Sequence, residues 1–309
     1  MSPAAAGTRS ITAVTTTSHD DAVRPARVFG IVVHAQRRES RAAAIAAAAR
    51  LRGAGVRVVG CKQQDWPPTD TFDVVPPEIF ATEIDVALVF GGDGTFLRAA
   101  YLARDGGVPL LGINLGRLGF LSECELPEVP NALDRLMAGD YQVEDRMTLS
   151  ATVLDAERRM TAQSWALNDV AVERREPQRL IVLDVAIGAT ELTSIPADAL
   201  ICASPTGSTA YAFSAGGPIL SPLVEALILT PVAPHTLFNR TIVADPDEVI
   251  SIRPAVDHNP CVVSMDGRES LVVPPRGGVR ITRGRAPVRM VRLRPFDFYA
   301  RIREKFGLR

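Results

Sequence analysis

The sequence has almost no net charge. Its 34 lysines and arginines nearly balance its 35 aspartates and glutamates, so the formal net charge is −1 over 309 residues. This balance does not favour a nucleic acid or a membrane surface as a partner. Aromatic residues make up only 6% of the chain, too few and too scattered for a base-stacking surface. No apolar run approaches the roughly 20 residues that a membrane helix needs.

The chain also has no Cys-x-x-Cys pair and no cluster of histidines. Reduced thiols in a cytoplasmic protein fit this scatter better than disulfides or a zinc site. The four cysteines are Cys61, Cys124, Cys202 and Cys261, and the four histidines are His19, His34, His235 and His258.

The familiar phosphate-binding motifs are absent as well. No Gly-Lys-Ser/Thr loop occurs, no G-x-G-x-x-G follows the first predicted strand, and no set of protein-kinase motifs is present. A phosphoryl-transfer enzyme with this sequence must therefore use a different phosphate cradle.

A glycine loop stands out among the features that are present. The apolar run 86–90 predicts a buried strand, and Gly91, Gly92, Asp93, Gly94 and Thr95 follow before a helical pattern begins. Glycines let backbone N–H groups approach a phosphate. Asp93 and Thr95 could simply cap the helix. Three glycines around an acid instead favour a carboxylate that holds a metal ion or accepts a proton from a hydroxyl.

The order of elements predicts two domains between a tail and a final helix. Residues 1–26 lack periodicity, which predicts a disordered tail. Residues 27–147 alternate strands with helices, which predicts an α/β domain with a parallel sheet. Residues 148–294 are short β-like runs between turns, which predicts a β-rich, sandwich-like domain. Residues 295–309 carry apolar residues at helical spacing, and we expect this helix to pack back on the first domain.

Smaller features of the pattern lead to further expectations. Ser40 is predicted to cap a helix that ends at Gly53, and residues 62–78 are predicted to form a loop. Arginines recur among β residues near the C-terminus, which favours a solvated strand face over a nucleic-acid patch. These arginines are Arg280, Arg283, Arg285, Arg289, Arg292 and Arg294.

Three more stretches carry candidate ligand-binding residues. Residues 114–120 follow a buried strand, as the glycine loop does, and two such loops can line one crevice. Asn168 and Asp169 interrupt an apolar β run, so they either form a strand-end turn or hold an adenine edge or a ribose diol. Residues 203–218 combine hydroxyls, glycines and Tyr211 without any charge. This composition suits a polyhydroxylated ligand better than a solvated surface loop.

Taken together, these stretches resemble the NAD kinase family over about residues 85–295. The glycine loop alone also resembles that of diacylglycerol-type lipid kinases and phosphofructokinases. The tyrosine-bearing stretch joined to the Asn-acid pair makes the resemblance specific. The matching stretches are 91–95, 114–120, 168–169, Asp198, 205–211, 214–218, 229–231, 234–235 and 266–267.

The resemblance implies a reaction, its substrates and an assembly. A phosphoryl group would pass to the 2′-hydroxyl of the adenosine ribose of NAD, giving NADP. ATP or polyphosphate would be the donor, and Mg²⁺ or another divalent cation would compensate charge. NAD would bind in the cleft between the two domains of a homodimer or homotetramer. The resemblance implies neither nucleic acid nor a membrane as a partner. It does not say which residues, if any, bind the metal directly.

By matching position, the resemblance also implies a role for each site residue. Asp93 would be the catalytic base. The residues against phosphates would be Gly91, Gly92, Gly94 and Thr95. The residues that contact NAD would be Asp93, Gly94, Phe120, Asn168, Asp169, Asp198, Thr209, Ala210, Tyr211 and Ser214.

The sequence departs from the family at two places, and two alternative functions stay open. Asp169 stands where the family commonly has Glu, and residues 195–197 lack the basic residue or glycine often found before Asp198. A lipid kinase would use the same Asp93 loop with an apolar acceptor groove, which the polar Asn168–Asp169 pair does not favour. A non-catalytic NAD(P)-binding module would have no need of Asp93.

Overall fold

The computed structural model describes residues 24–34, 36–62, 64, 66, 71–116, 119–176, 180–255, 260–268 and 270–308. The predicted tail therefore lies outside the described residues up to position 23, and so do Arg117 and Leu118 of the second glycine stretch. The chain is already ordered before the predicted end of the tail. Ala26 is fully buried, and its N–H donates to the Leu136 carbonyl over 3.1 Å.

The elements of the first part of the chain alternate as predicted. They are β1 (Val28–Val33), α1 (Arg38–Gly53), β2 (Arg57–Cys61), β3 (Asp73–Val75), α2 (Pro77–Phe80), β4 (Val86–Phe90), α3 (Asp93–Ala103), β5 (Leu110–Asn114), β6 (Cys124–Glu125), α4 (Val129–Ala138) and β7 (Gln142–Arg146). The predicted loop 62–78 thus contains a short strand and the start of a short helix.

The elements of the second part are mostly strands. They are β8 (Leu149–Leu154), β9 (Met160–Ala166), β10 (Asp169–Arg174), β11 (Ile181–Ile187), β12 (Thr190–Ala197), β13 (Ala199–Ala203), α5 (Tyr211–Ser214), β14 (Leu227–Val232), β15 (Ile242–Ala244), β16 (Ile250–Pro254), β17 (Cys261–Met265), β18 (Leu271–Val272), β19 (Gly278–Arg283), β20 (Val288–Arg292) and α6 (Phe298–Phe306).

The first sheet is the predicted parallel sheet with one antiparallel edge. Within the described residues its strands follow the order β3-β2-β1-β4-β5-β20-β7, and β6 also pairs with β5. Of the strands described in this sheet, only β7 runs antiparallel, against β20. Central strands β4 and β5 are buried along their whole length, as their unbroken apolar sequences require.

The second domain is the predicted sandwich of two antiparallel sheets. One sheet has the order β15-β14-β13-β10-β17-β18, and the other has the order β12-β11-β16-β19-β8-β9. One apolar cluster lies between them, to which Leu149, Val170, Leu183 and Leu200 all belong. Alternating side chains on each strand therefore fill one core, and the fold class is confirmed.

Strand β20 does not lie where the sequence pattern placed it. Its alternating residues suggested the β-rich domain, with a boundary at 294, yet it pairs with β5 and β7 in the first sheet. Arg292 on this strand is buried and not part of a solvated face. The alternating pattern of a strand shows that one of its faces is buried but not which sheet the strand joins. The prediction was wrong because the chain crosses back from the second domain to the first sheet at β20.

Ser40 is not the helix cap that its position suggested. Helix α1 begins at Arg38, and Ser40 is fully buried in its first turn. Its hydroxyl donates to the Phe90 carbonyl and accepts from the His34 N–H over 2.9 Å. A tertiary acceptor at the end of β4 thus takes the hydroxyl that could have capped the helix.

No helix among the described residues is both long enough and apolar enough to cross a membrane.

Candidate active site

The glycine loop joins β4 to α3 and leaves part of its backbone open. A Cβ on Gly91 would overlap the side chain of Thr95, which is itself buried, so these two residues shape the turn. A Cβ on Gly92 or Gly94 would meet nothing within 4 Å. The backbone at Gly92 and Gly94 is therefore the part of the loop that a phosphate could approach.

Asp93 does not cap its helix. Gly92 occupies the N-cap position, and no side chain makes a capping hydrogen bond there. The Asp93 carboxylate instead accepts the N–H of Phe120 and the N–H of Leu121, each over 3.1 Å. The two glycine loops therefore meet through this carboxylate, as their positions after β4 and β5 predicted.

The second glycine loop leaves room for that carboxylate at Gly119. A Cβ at this position would overlap the carboxylate of Asp93. The Gly119 carbonyl in turn accepts a hydrogen bond over 3.2 Å from Arg301 of the C-terminal helix α6. Asp93 is half-exposed at the mouth of the loop, and two backbone donors of the second glycine loop hold its carboxylate there.

The Asn168–Asp169 pair lies at the start of β10, and the carboxylate of Asp266 holds its backbone. The Asp266 carboxylate accepts the N–H groups of Leu167, Asn168 and Asp169 over 2.8, 2.7 and 3.1 Å. Asp266 adopts φ +52° and is followed by Gly267 at φ +64°, a tight turn after β17. The predicted match at 266–267 is therefore a support for the pair.

Two buried carboxylates lie close together here, and both pKa values move. Burial raises the pKa of Asp169 to about 7, and the charge of Asp266 adds to this rise, while the Tyr211 N–H opposes it. Burial also raises the pKa of Asp266, although its three backbone donors act in the opposite direction. Asp169 therefore titrates near neutral pH.

The serine stretch follows β13 and packs directly on the Asn168–Asp169 pair. Ser204 donates to the Leu167 carbonyl and accepts the Gly207 N–H over 3.1 Å. A Cβ on Gly207 would overlap the Asn168 carbonyl, so only glycine allows this approach. Two short helical turns result, Thr206–Thr209 and α5. Thr209 and Ala210 are half-buried between them, while Tyr211 and Ser214 are exposed on α5.

Asp198 lies at the far end of β13 from the serine stretch, about 17 Å along a five-residue strand. Its carboxylate is 2.9 Å from the guanidinium of Arg174. Burial raises the pKa of the Tyr211 hydroxyl, and the nearby charges of Glu173, Asp169 and Asp198 add to that rise. Asp198 therefore contributes to the electrostatics of Tyr211 but pairs with Arg174 and not with the Asp169–Asp266 cluster.

Helix α6 links the two groups of site residues. The Phe306 ring lies with its centroid 6.3 Å from that of Phe120 and 5.1 Å from that of Phe213 on α5. The Phe298 ring also lies near Phe120, with its centroid 6.5 Å away. The helix therefore packs back on the first domain and also contacts the serine stretch.

Several residues of the site have no signal in the local sequence. Arg174 and Arg301 reach Asp198 and Gly119 from distant positions, so only the fold reveals them. Asp266 has a weak signal, since it is an acid before glycine at the end of an apolar run.

The described residues offer no protein cage for a metal ion. No group of three or more His, Cys, Asp or Glu side chains that could hold one occurs among them. Mg²⁺ in kinase sites is commonly held by one or two carboxylates together with substrate phosphates and water. The lone Asp93 beside the open glycine loop fits a cation of that kind.

Comparison with known proteins identifies the family. Residues 29–141 match the ATP-NAD kinase N-terminal domain, and residues 167–293 match the ATP-NAD kinase C-terminal domain. A NAD kinase of Corynebacterium jeikeium is 38% identical over 285 residues, which cover 90% of this chain and 87% of that protein. The chain belongs to the NAD kinase family. It is therefore an enzyme, and neither a lipid kinase nor a module that only binds NAD(P).

Solved structures of the family share the fold. A yeast NADH kinase complexed with NADH has a TM-score of 0.83 at 25% identity, covering 92% of this chain and 89% of that one. A NAD kinase of Archaeoglobus fulgidus in complex with ATP has a TM-score of 0.67 at 25% identity, covering 91% and 97%.

Proposed function

We propose that this NAD kinase uses Asp93 as the general base for transfer of the γ-phosphoryl group of ATP to the 2′-hydroxyl of the adenosine ribose of NAD. The observation that carries the proposal is the position of the Asp93 carboxylate at the meeting point of two glycine loops. A carboxylate has about four lone-pair sites, and two backbone N–H donors leave room for a proton.

The reaction then follows from the position of that carboxylate. The Asp93 carboxylate takes the proton of the 2′-hydroxyl while the ribose oxygen attacks the γ-phosphorus. The bond from the γ-phosphorus to the bridging oxygen breaks, and ADP leaves. The open backbone at Gly92 and Gly94 binds phosphate, supported by Thr95 and Gly91, which shape the turn.

The other predicted residues would form the NAD pocket. Asn168 and Asp169 would hold the adenosine end. Phe120 would lie beside the adenosine, and Thr209, Ala210, Tyr211 and Ser214 would line the adenine and ribose pocket. Asp198 would bind the nicotinamide side. The packing of the serine stretch on the Asn168 carbonyl supports this grouping for the residues of the second domain other than Asp198, and the contacts of Phe306 with Phe120 and Phe213 support it for Phe120.

ATP is the proposed donor because a related NAD kinase structure is a complex with ATP. Mg²⁺ would enter with the donor phosphates and compensate their charge beside Asp93. Polyphosphate is the alternative donor, and parallel assays with each donor and Mg²⁺ distinguish the two.

The enzyme is proposed to be a cytoplasmic homodimer or homotetramer. Exposed apolar side chains at Leu223, Leu237 and Phe238 support an interface between copies. No disulfide joins the four cysteines, all of which are described and buried, in keeping with a reducing compartment. Light scattering would measure the mass, and a monomer at micromolar concentration would contradict the assembly.

The Asp93→Asn variant tests the base. We expect it to bind NAD with nearly unchanged affinity and to lose about 10²–10⁴-fold in kcat, the usual contribution of a general base. NADP formation from NAD, Mg²⁺ and ATP measures kcat, and calorimetry measures binding. A variant rate within a few-fold of wild type would show that another group takes the proton.

A further inference from the structure

A cluster of rings and guanidinium groups connects the two domains away from the proposed pocket. The rings of Tyr101 on α3 and Trp165 on β9 stack with centroids 6.1 Å apart and planes 16° apart. The Arg104 guanidinium lies 4.1 Å over the Trp165 ring. The Arg268 guanidinium lies 4.2 Å from the Tyr101 ring and 5.1 Å from the Trp165 ring. We call Tyr101, Arg104, Trp165 and Arg268 the aromatic clamp.

Arg268 ties the aromatic clamp to the acid that supports the Asn168–Asp169 pair. Its Nε donates to the Met265 carbonyl over 3.2 Å, and its Nη2 donates to the Trp165 carbonyl. The same Nη2 lies 4.0 Å from the Asp266 carboxylate, whose oxygens accept the N–H groups of residues 167–169. Arg268 therefore contacts both the carboxylate that holds the backbone of the pair and the strand that leads into the pair.

The other end of the aromatic clamp is tied to Asp93. Tyr101 belongs to the same helix that Asp93 begins, eight residues further on, or about 12 Å along the axis. An α-helix of this length is rigid, so its start follows its docked end. The aromatic clamp thus joins the proposed base to the pair that would hold the adenosine.

Burial of apolar surface does not account for Tyr101, because 54% of this residue is exposed. Arg268 is only half-buried, and its contacts are directional hydrogen bonds and ring faces. Such contacts set a relative position more than they add hydrophobic stability.

We propose that the aromatic clamp sets the position of Asp93 relative to Asn168 and Asp169, with Arg268 and Tyr101 as positioning residues. The inference rests on the proposed function, since it takes Asp93 as the base and the pair as the adenosine site. It concerns residues to which that function assigns no contact with a substrate.

Replacement of Tyr101 separates positioning from binding. We expect Tyr101→Ala to lower kcat about tenfold while KM for NAD stays within about twofold, because the turn at Asp266 stays intact and only the docking of α3 is lost. Tyr101→Phe keeps the ring and should restore most of kcat. Equal loss in both variants, or a wild-type kcat in Tyr101→Ala, would overturn the proposal.

Replacement of Arg268 should affect both kcat and KM for NAD. A lysine ammonium cannot donate to the Met265 and Trp165 carbonyls and also cover two rings, so Arg268→Lys should raise KM for NAD several-fold and lower kcat. Arg283→Lys is the matched control, since Arg283 is exposed and pairs with Glu225 on the sandwich. Similar kinetics in the two variants would contradict a positioning role.

Fluorescence of Trp165 provides a readout that does not depend on turnover. The chain has two tryptophans, so a Trp66→Phe background isolates Trp165. We expect NAD to change its emission and Tyr101→Ala to abolish most of that change. If the wild type binds NAD without forming NADP, the proposed function fails. The change in Trp165 emission still tests the aromatic clamp in that case, because it does not depend on turnover. Unaltered emission on NAD binding would overturn the inference.

Discussion

Asp169 is the residue whose chemistry depends most on its surroundings. It is 6% exposed, lies beside the Asp266 carboxylate and has a pKa raised to about 7. An unfolded aspartate has a pKa near 3.9, so the folded state favours the protonated form. The resulting stabilisation is fully present below about pH 4 and is lost as the pH rises through 7.

The Asp169→Asn variant should remove this pH dependence. We expect the free energy of unfolding of the variant, relative to that of the wild type, to increase between pH 5 and pH 8. The increase is up to about 1.4 kcal/mol for each pH unit in which Asp169 is protonated in the folded wild type but ionised in the unfolded wild type. Urea unfolding without NAD at the two pH values measures it. Asp134→Asn replaces an exposed carboxylate on α4 and serves as the control. An equal effect of Asp169→Asn at both pH values would contradict the prediction.

Among the elements, helix α6 contacts the site residues of both domains. Asp297 caps it by accepting the Ala300 N–H over 2.9 Å, and Gly307 ends it at φ +61°. Between these ends, Phe306 contacts both Phe120 and Phe213, which belong to different domains. The helix therefore depends on a few aromatic contacts rather than on a wide buried face.

Phe306→Ala should loosen α6 without unfolding the domains. Each aromatic pair contributes about 0.5–1.5 kcal/mol, so we expect faster amide exchange across residues 299–306 and a several-fold higher KM for NAD. Hydrogen-exchange mass spectrometry and steady-state kinetics measure the two effects. Tyr299→Ala is the control, since its ring is exposed and pairs with the Phe298 ring of its own helix rather than with a ring of either domain among the described residues. Unchanged exchange in α6 would show that other contacts hold the helix.

At the scale of the whole molecule, a buried ion-pair network fastens β20 into the first sheet. Arg292 lies 2.8 Å from the Glu123 carboxylate and 3.1 Å from that of Glu144. Arg146 also pairs with Glu144, and it donates to the Thr206 hydroxyl over 3.4 Å. The network thus joins the returning strand, the segment after the second glycine loop and the serine stretch.

Arg292→Met should destabilise the protein by about 3–5 kcal/mol, because it leaves Glu123 buried without its guanidinium. The double variant Arg292→Met, Glu123→Gln should recover part of that loss, since the stranded charge is gone. Urea unfolding measures both variants. Arg50→Met breaks an exposed pair with Asp134 and should cost about 1 kcal/mol or less. A double variant less stable than Arg292→Met would contradict this account.

The local sequence alone predicted an α/β domain with a parallel sheet, the strand–glycine loop–helix that begins at residue 86, and a β-rich, sandwich-like domain. It did so because hydrophobic period and glycine placement are local consequences of backbone geometry. The resemblance to NAD kinases added the activity, which the comparisons confirmed, and the roles of the site residues, which stay proposals.

Only the tertiary structure decided where distant segments meet. Strand β20 joins the first sheet, Ser40 bonds to the end of β4 and does not cap its helix, and Arg292 is buried in an ion-pair network. The aromatic clamp and the Asp266 support join residues about 100 positions apart. A side chain's partner depends on the packing of the whole chain, whereas its strand or helix depends mainly on its neighbours in sequence.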